Sequence, residues 1–378
     1  MILSTPSFST RLTPASDVLL NTAASAADFS ALPIPSVASS TSARISPYFI
    51  AELSANHQLC IEQARAMIRA AKESGADAVK LQTYTADTVT LPVRNEQFST
   101  QGPWKNAYLY DLYKASYTPW EWHEELAEFA QKIKITLFSS PFDESAVDFL
   151  EKTIHPPAYK IASFEMNHIP LLKKVAETGK PILLSTGLAT KEEIEEAVQT
   201  LRDNGCKELL LLKCIGAHSD DLTGCNLKCL DYLKTFDCPV GISDHSVLHS
   251  VVMGGIAMGA SLIEKHFILS RSSDAADGDF SLDPKEFAQM VKEGRRLFQG
   301  LGDDQLIITK KEESRRKFRR SIYVSKPIKK GECFSSENVK VIRPHFGLHP
   351  RYWEQILGKT AKKDLDFGHP LSLDDIAD

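Results

Sequence analysis

Two histidines close neighbouring apolar runs in this chain: His245 stands just past Val240–Ser243, and His266 ends Leu262–His266. Imidazole suits Mn2+, Co2+ or Zn2+, and a site with only two imidazoles leaves positions open for water or a substrate oxygen. Many histidines do no more than hydrogen-bond, so the pair gains meaning from what accompanies it. Lys80 and Lys160 sit inside apolar runs, and with the hydroxyls of Ser140, Ser163, Ser185 and Ser243 they form an anion-binding inventory. Ammonium point charges and neutral donors together suit a phosphate and a carboxylate. Glu52 and Glu264 are candidate general acid–base groups close to that cation. An anion site, an open metal site and spare carboxylates suggest chemistry that brings a phosphorylated anion to a metal-activated electrophile.

Residues of these types work together only if one scaffold delivers them to one place. The apolar runs are Phe49–Leu53, Ala78–Gln82, Ile135–Ser139, Ala158–Ala162, Ile182–Thr186, Leu209–Cys214, Val240–Ser243 and Leu262–His266. Each is too short for a helix and lacks polar alternation, as expected of strands buried on both faces. Amphipathic segments of helical length separate them, including Ile61–Ser74, Pro119–Lys132, Lys191–Asn204 and Leu248–Gly259, with a last helix at Pro284–Phe298. Gly75 and Gly259 fall where helices should stop, and Thr190 with Glu193 spells a capping box. Eight strands alternating with helices predict a (β/α)8 TIM barrel. A doubly wound open sheet is disfavoured, because no glycine-rich phosphate fingerprint follows the first strand. In a barrel the reactive groups gather at the strand ends, and these ends carry Glu52, Asn56, His57, Lys80, Gln82, Ser139, Ser140, Lys160, Ser163, Ser185, Thr186, Ser243, Asp244, His245, Glu264 and His266.

Composition bounds the rest. With 43% hydrophobic and 25% charged residues the chain can build a full core, and a net charge of −5 gives no reason to expect nucleic acid or an anionic membrane. Residues 1–45 are rich in Ser, Ala, Thr and Pro and predict a disordered extension. Their patch Val18-Leu19-Leu20 is too short for a signal peptide, and no stretch of the chain could span a membrane. An organelle transit peptide stays open, with Asp17 and Asp28 counting against it. Seven scattered cysteines without a CxxC pair imply reduced thiols in a cytoplasmic protein, and Cys225 and Cys229 read as packing residues. The expected organisation is a barrel over 46–300, a charged linker over 301–317, and a small β-rich module over 318–378. That module is too small for easy independence and should dock on something.

The ordered motifs resemble those of the sialic acid synthase family, most closely its pseudaminic acid branch. They are F-I-A-E-L-S-A-N-H (49–57), G-A-D-A-V-K-L-Q-T-Y-T-A-D-T (75–88), Y-T-P-W-E-W-H (117–123) and F-S-S-P-F-D-E-S-A-V-D-F-L (138–150). A-Y-K-I-A-S-F-E (158–165), P-I-L-L-S-T-G (181–187), V-G-I-S-D-H-S (240–246) and I-E-K-H-F (263–267) follow. F-R-R-S-I-Y-V and I-R-P-H-F-G-L-H-P (342–350) are similar to the family's antifreeze-like (SAF) domain. The resemblance spans 49–376, and T-P-W-E-W-H and G-L-H-P point to the pseudaminic branch. It implies phosphoenolpyruvate held by Lys80, Ser140, Lys160, Ser163, Ser185 and Ser243, and Mn2+ or Mg2+ held by His245 and His266. It implies water activation by Glu52 with Glu264 beside the metal, and sugar contacts from Gln82 and Asp277. Arg343, in the SAF domain, would reach a partner's barrel in a homodimer. The implied reaction joins phosphoenolpyruvate to an acetamido sugar and releases phosphate.

Two stretches depart from the family's pattern. Asn56-His57-Gln58-Leu59 replaces N-H-N-G, and Cys214-Ile215-Gly216-Ala217-His218-Ser219 replaces C-T-S-A-Y-P. Gly216 thereby lacks a polar contact to phosphoenolpyruvate, and His218 stands where the family places a tyrosine beside the sugar. These changes keep two alternatives open. One is a neuraminate or legionaminate synthase acting on an N-acetylmannosamine-type sugar; the other is a binding homologue impaired in catalysis.

Overall fold

Runs such as Ile182–Ser185 and Leu209–Leu212 are apolar on both faces, so they must be covered on both. The computed structural model, which describes residues 46–100, 107–216, 222–271, 275–302 and 305–377, meets that demand with a closed barrel. Its parallel strands are β1 (Tyr48–Glu52), β2 (Ala78–Thr83), β3 (Thr136–Pro141), β4 (Tyr159–Ile161), β5 (Ile182–Ser185), β6 (Leu209–Ile215), β7 (Val240–Asp244) and β8 (Leu262–His266). They pair in chain order, and β8 returns to β1. The crossovers carry α1 (Ile61–Glu73), α2 (His123–Lys132), α3 (Glu144–Thr153), α4 (Ile169–Glu177), α5 (Lys191–Asp203), α6 (Cys229–Leu233) and α7 (His249–Ala257), and α8 (Pro284–Leu301) follows β8. The expected capping box forms: the Thr190 hydroxyl accepts from Glu193 N at 3.3 Å, and the Glu193 carboxylate accepts from Thr190 N at 2.7 Å.

Side chains alternate across a strand, and that period of two sorts the barrel into layers. Ile50, Ala78, Phe138, Ala158, Leu183, Leu210, Leu212 and Leu262 form one apolar cluster inside it. Their outward neighbours, among them Ala51, Val79, Leu137, Tyr159, Leu184, Leu211 and Ile263, pack with the helices. Gly241 keeps the interior closed, since a Cβ there would lie 2.5 Å from Leu262 O and 2.6 Å from Leu212 Cδ2. Two residues further along each strand, the inward positions become Glu52, Lys80, Ser140, Lys160, Ser185, Ser243 and Glu264.

Some local expectations change. The segment 119–132 is divided into a 3-10 turn (Trp120–Trp122) and α2. The 301–317 stretch contains a short helix, Lys310–Glu313, because Thr309 and Glu312 make a capping box of their own. Cys225 is buried as a packing residue, but Cys229 is exposed, which corrects its assignment; none of the seven cysteines forms a disulfide. The expectation for residues 1–45 lies outside the described residues. Among the described residues, no helix is long and apolar enough to cross a membrane.

The described residues divide into two compact units after Gly302. The second unit pairs β9 (Ser321–Val324) with β10 (Val339–Ile342) in antiparallel fashion and has its own core, including Ile322, Val324, Phe334, Val339 and Leu371. In its G-L-H-P stretch, Gly347 N donates to Ser321 Oγ at 2.9 Å, and a Cβ on Gly347 would fall 2.2 Å from Ile322 O. No other residue fits so near that carbonyl.

Two histidines are wholly buried behind β1–β3. His57 accepts from Leu59 N through Nδ1 (3.2 Å), so its Nε2–H donates to Thr118 Oγ1 (3.1 Å). His123 donates through Nδ1 to Trp120 O (3.2 Å) and accepts the Thr83 hydroxyl proton at Nε2 (2.8 Å); Thr83 in turn accepts from Ser139 Oγ at 2.6 Å. Burial pushes both imidazoles down to about 4 from an ordinary 6.5, and for His57 the nearby His123 adds to the effect. Between pH 6.5 and 4 the unfolded chain therefore binds protons that the folded chain refuses, so stability falls as pH drops through that window. We expect up to about 3 kcal/mol per histidine to be lost there. Thermal midpoints measured from pH 7 to pH 4 should fall steeply for the wild type and less steeply for His123→Gln; equal slopes would refute the assignment.

Candidate active site

At the charged layer, four ionisable side chains meet inside the barrel. Lys80 Nζ is ion-paired with the Glu52 carboxylate, donates to Ser140 Oγ at 3.1 Å, and lies 3.9 Å from Glu264 Oε1. Lys160 Nζ lies 3.8 Å from the same Glu264 oxygen, which also accepts from Ser243 Oγ at 3.1 Å. None of the four residues is more than 5% exposed, so their charges act on each other with little screening by water. Burial pushes the Glu52 carboxyl up against the pull of Lys80. Burial alone would lower Lys80, but Glu264 and Glu52 outweigh it and hold the ammonium above its usual range. Burial would likewise raise Glu264, yet Lys160 and Lys80 keep it below the usual carboxylate range. Lys160 is lowered by its burial, making it the more readily deprotonated of the two lysines.

The hydroxyls are set around this cluster. Ser163 Oγ accepts from Gly187 N at 3.1 Å, and the buried Ser185 Oγ has no hydrogen-bond partner among the described residues. Above the cluster, Gln82 Nε2 donates to Ser54 Oγ at 3.1 Å and Ser54 donates to the Asp277 carboxylate, joining two residues separated by the whole barrel sequence. Asp277 Oδ2 is 3.9 Å from His266 Nδ1. The imidazoles of His245 and His266 are 4.9 Å apart, and the Phe280 ring stands 4.9 Å from His266 and 5.9 Å from His245.

Among the described residues, no three or more His, Cys, Asp and Glu side chains converge on one point suited to a metal. The pair nevertheless fits a cation that completes its shell with water or substrate. His245 Nδ1–H donates to Ile215 O at 3.1 Å, which orients the ring and leaves Nε2 as the nitrogen that could take a ligand.

Some expected rim groups are turned away. His57 and Ser139 face outward into the network behind the barrel. Asn56 Nδ2 donates to Phe267 O (2.9 Å) and Ser281 Oγ (2.8 Å), a packing role. Arg343 belongs to the second unit, just past β10, and is exposed. His218 lies outside the described residues. Among the described residues a Cβ on Gly216 would meet nothing within 4 Å.

Three residues to which the sequence assigns no role in the site join it in the structure. Ser54 bridges Gln82 and Asp277, as above. Cys214 Sγ lies 3.8 Å from His245 Nδ1; burial would raise its thiol, but His245, Ser163 and Lys160 together hold it lowered. Glu165, two residues past Ser163, is 9% exposed, and its Oε2 has no hydrogen-bond partner among the described residues. Burial pushes its carboxyl up to about 7, against the opposing pull of Lys160 and Lys80. Its place two residues past the candidate Ser163 was a slight signal, and burial is what sets it apart.

Comparison with known proteins fits this geometry. The sequence model described as the NeuB family matches residues 67–305, and that of the SAF domain matches 319–377. The chain is 45% identical over 330 residues to the pseudaminic acid synthase of Campylobacter jejuni subsp. jejuni serotype O:23/36, covering 87% of this chain and 96% of that one. It is 42% identical over 333 residues to the pseudaminic acid synthase of Helicobacter pylori, covering 87% and 98%. The crystal structure of the spore coat polysaccharide biosynthesis protein SpsE from Bacillus subtilis is similar at 32% identity and a TM-score of 0.58, covering 91% of this chain and 99% of that one.

The packing at Gly187 makes the anion pocket testable. A Cβ there would lie 2.6 Å from Ser163 Oγ and 2.8 Å from Cys214 Cβ, so one of them must move. Gly187→Ala should weaken phosphoenolpyruvate binding by about tenfold or more, as expected when a hydrogen bond worth about 1–3 kcal/mol is lost. Calorimetric titration checks this, and unchanged affinity would remove Ser163 from the pocket.

Proposed function

We propose, on the premise that this chain belongs to the NeuB family, that it condenses phosphoenolpyruvate with 2,4-diacetamido-2,4,6-trideoxy-altrose and water to give pseudaminic acid and phosphate. The observation that carries the reading is the buried lysine–serine layer lying one tier below two facing imidazoles. Identities of 42–45% to pseudaminic acid synthases favour this sugar over an N-acetylmannosamine-type one.

In this reading Lys80, Lys160, Ser140, Ser163, Ser185 and Ser243 bind the phosphate and carboxylate of phosphoenolpyruvate. The ammonium of Lys80, already raised by its carboxylate neighbours, keeps its charge throughout. Gln82 and Asp277, coupled through Ser54, orient the open-chain sugar. His245 and His266 hold a divalent cation, Mn2+ or Mg2+, whose chemistry when bound is to polarise the sugar aldehyde. The enol carbon of phosphoenolpyruvate then bonds to the aldehyde carbon, and the aldehyde oxygen takes up a proton. Glu165, whose carboxyl burial pushes up to about 7, keeps a protonated form near neutral pH and is suited to supply it. Water adds at the resulting cationic carbon, with Glu52 orienting it and taking its proton. The tetrahedral hemiketal phosphate finally collapses with C–O cleavage and leaves phosphate. Arg343 would bind the sugar's acetamido oxygen from the second unit of a partner chain, which makes a homodimer part of the proposal. A cytoplasmic location is in line with seven cysteines that form no disulfide.

Purified protein given Mn2+ and both substrates should release phosphate, and His266→Ala should not; equal release would retire the role of His266. Substituting N-acetylmannosamine should lower kcat/KM, and the opposite order would move the chain to another branch. Tight substrate binding without turnover would mark an impaired homologue. Glu165→Gln should lower kcat by about 10²–10⁴, the usual worth of a positioned proton donor. The wild-type pH profile should lose activity above about pH 7 as Glu165 ionises, and that limb should vanish in the variant.

A further inference from the structure

Directly behind the two imidazoles, on the outward face of β7 and β8, lies an ion pair that the reaction does not use. Asp244 and Lys265 are register partners, one rung above the inward pair Ser243 and Glu264. Both side chains are entirely buried, and Lys265 Nζ contacts Asp244 Oδ2 at 2.8 Å. The same ammonium donates to Ser246 O. Asp244 in turn accepts from Ser246 N at 2.9 Å and from Ser246 Oγ at 3.2 Å. The residues on either side of His245 are therefore tied together and to Lys265. Lys265 immediately precedes His266. One ammonium thus grips both backbone segments that carry the imidazoles.

We propose that the Lys265–Asp244 ion pair is a positioning device that sets the separation and aim of His245 and His266 for a divalent cation. The inference rests on the metal-dependent reading above. Its surroundings argue against a purely stabilising role. Val240, Ile242 and Ile263, the other outward residues of these strands, belong with Phe267, just past β8, to the apolar core between barrel and helices. Burying an ion pair in such a place costs about as much in desolvation as it returns, and apolar residues of similar volume often serve equally well. Charge here instead supplies direction: Lys265 has fixed partners, whereas packed methyl groups would let the turn 244–246 rotate. Groups that orient metal-binding histidines are worth about 10–100-fold in metal affinity.

The test uses the full chain, stripped of metal and titrated with Mn2+ alone, with free Mn2+ read by electron paramagnetic resonance. The double variant Lys265→Met/Asp244→Asn removes both charges while keeping volume, so no buried charge is stranded. It should bind Mn2+ at least about tenfold more weakly than the wild type, with an altered signal from the bound ion and little change in phosphoenolpyruvate affinity measured without metal. Asp244→Glu, which keeps the charge pair but displaces the carboxylate by one methylene, serves if the double variant fails to fold, and should also weaken Mn2+ binding. Wild-type affinity in a folded variant would overturn the positioning role and leave the metal reading standing. A wild-type chain that binds no Mn2+, or binds it as well as His266→Ala does, would overturn both.

Discussion

Four charges held in a barrel interior, out of reach of water, are the constraint to which the rest of the molecule answers. Neither Lys80 nor Lys160 could remain ionised there alone, and neither could Glu52 or Glu264; each is tolerable because the others lie within about 4 Å. The apolar floor beneath them, from Ile50 round to Leu262, keeps solvent from entering below. Closing the sheet lets seven strands contribute inward groups to one tier while each strand's outward face still packs against helices. The resulting field is strong because it is dry, and it is pre-set because strands rather than loops carry it.

Layering follows from the period of two. Along β1, Ile50 and Glu52 share the inward face; along β2, Ala78, Lys80 and Gln82 do; along β8, Leu262, Glu264 and His266 do. The lysine and serine tier therefore lies one step below Gln82 and His266. The proposed condensation would use that vertical order, with the enol below and the aldehyde above.

The strands were legible because their sequences admit one interpretation: a run such as Leu209-Leu210-Leu211-Leu212 cannot face water on either side. The inward set was legible for a related reason, since a lysine in the middle of Ala78–Gln82 or Ala158–Ala162 needs a charged partner or a ligand. What escaped notice depended on direction. His57 and Ser139 adjoin residues of the site, but one step of alternation or a left-handed turn at Gln58 (φ 50) sends them outward. Glu165 escaped because burial, and not its position in the chain, makes a loop carboxyl unusual. The Lys265–Asp244 pair escaped because Lys265, read alone, looks like an ordinary surface charge, and Asp244 counts by sequence among the rim groups although one step of alternation turns it outward.

The two stretches that best distinguish the branch, T-P-W-E-W-H and G-L-H-P, are partly occupied by packing. His123 ends a hydrogen-bonded chain behind β2 and β3, and Gly347 permits a close approach to Ile322 O. As diagnostic marks they report lineage through scaffold architecture. A chain could keep both and still change its sugar through the mouth of the barrel, or lose one and keep its chemistry, so ancestry and specificity are written in different parts of this molecule.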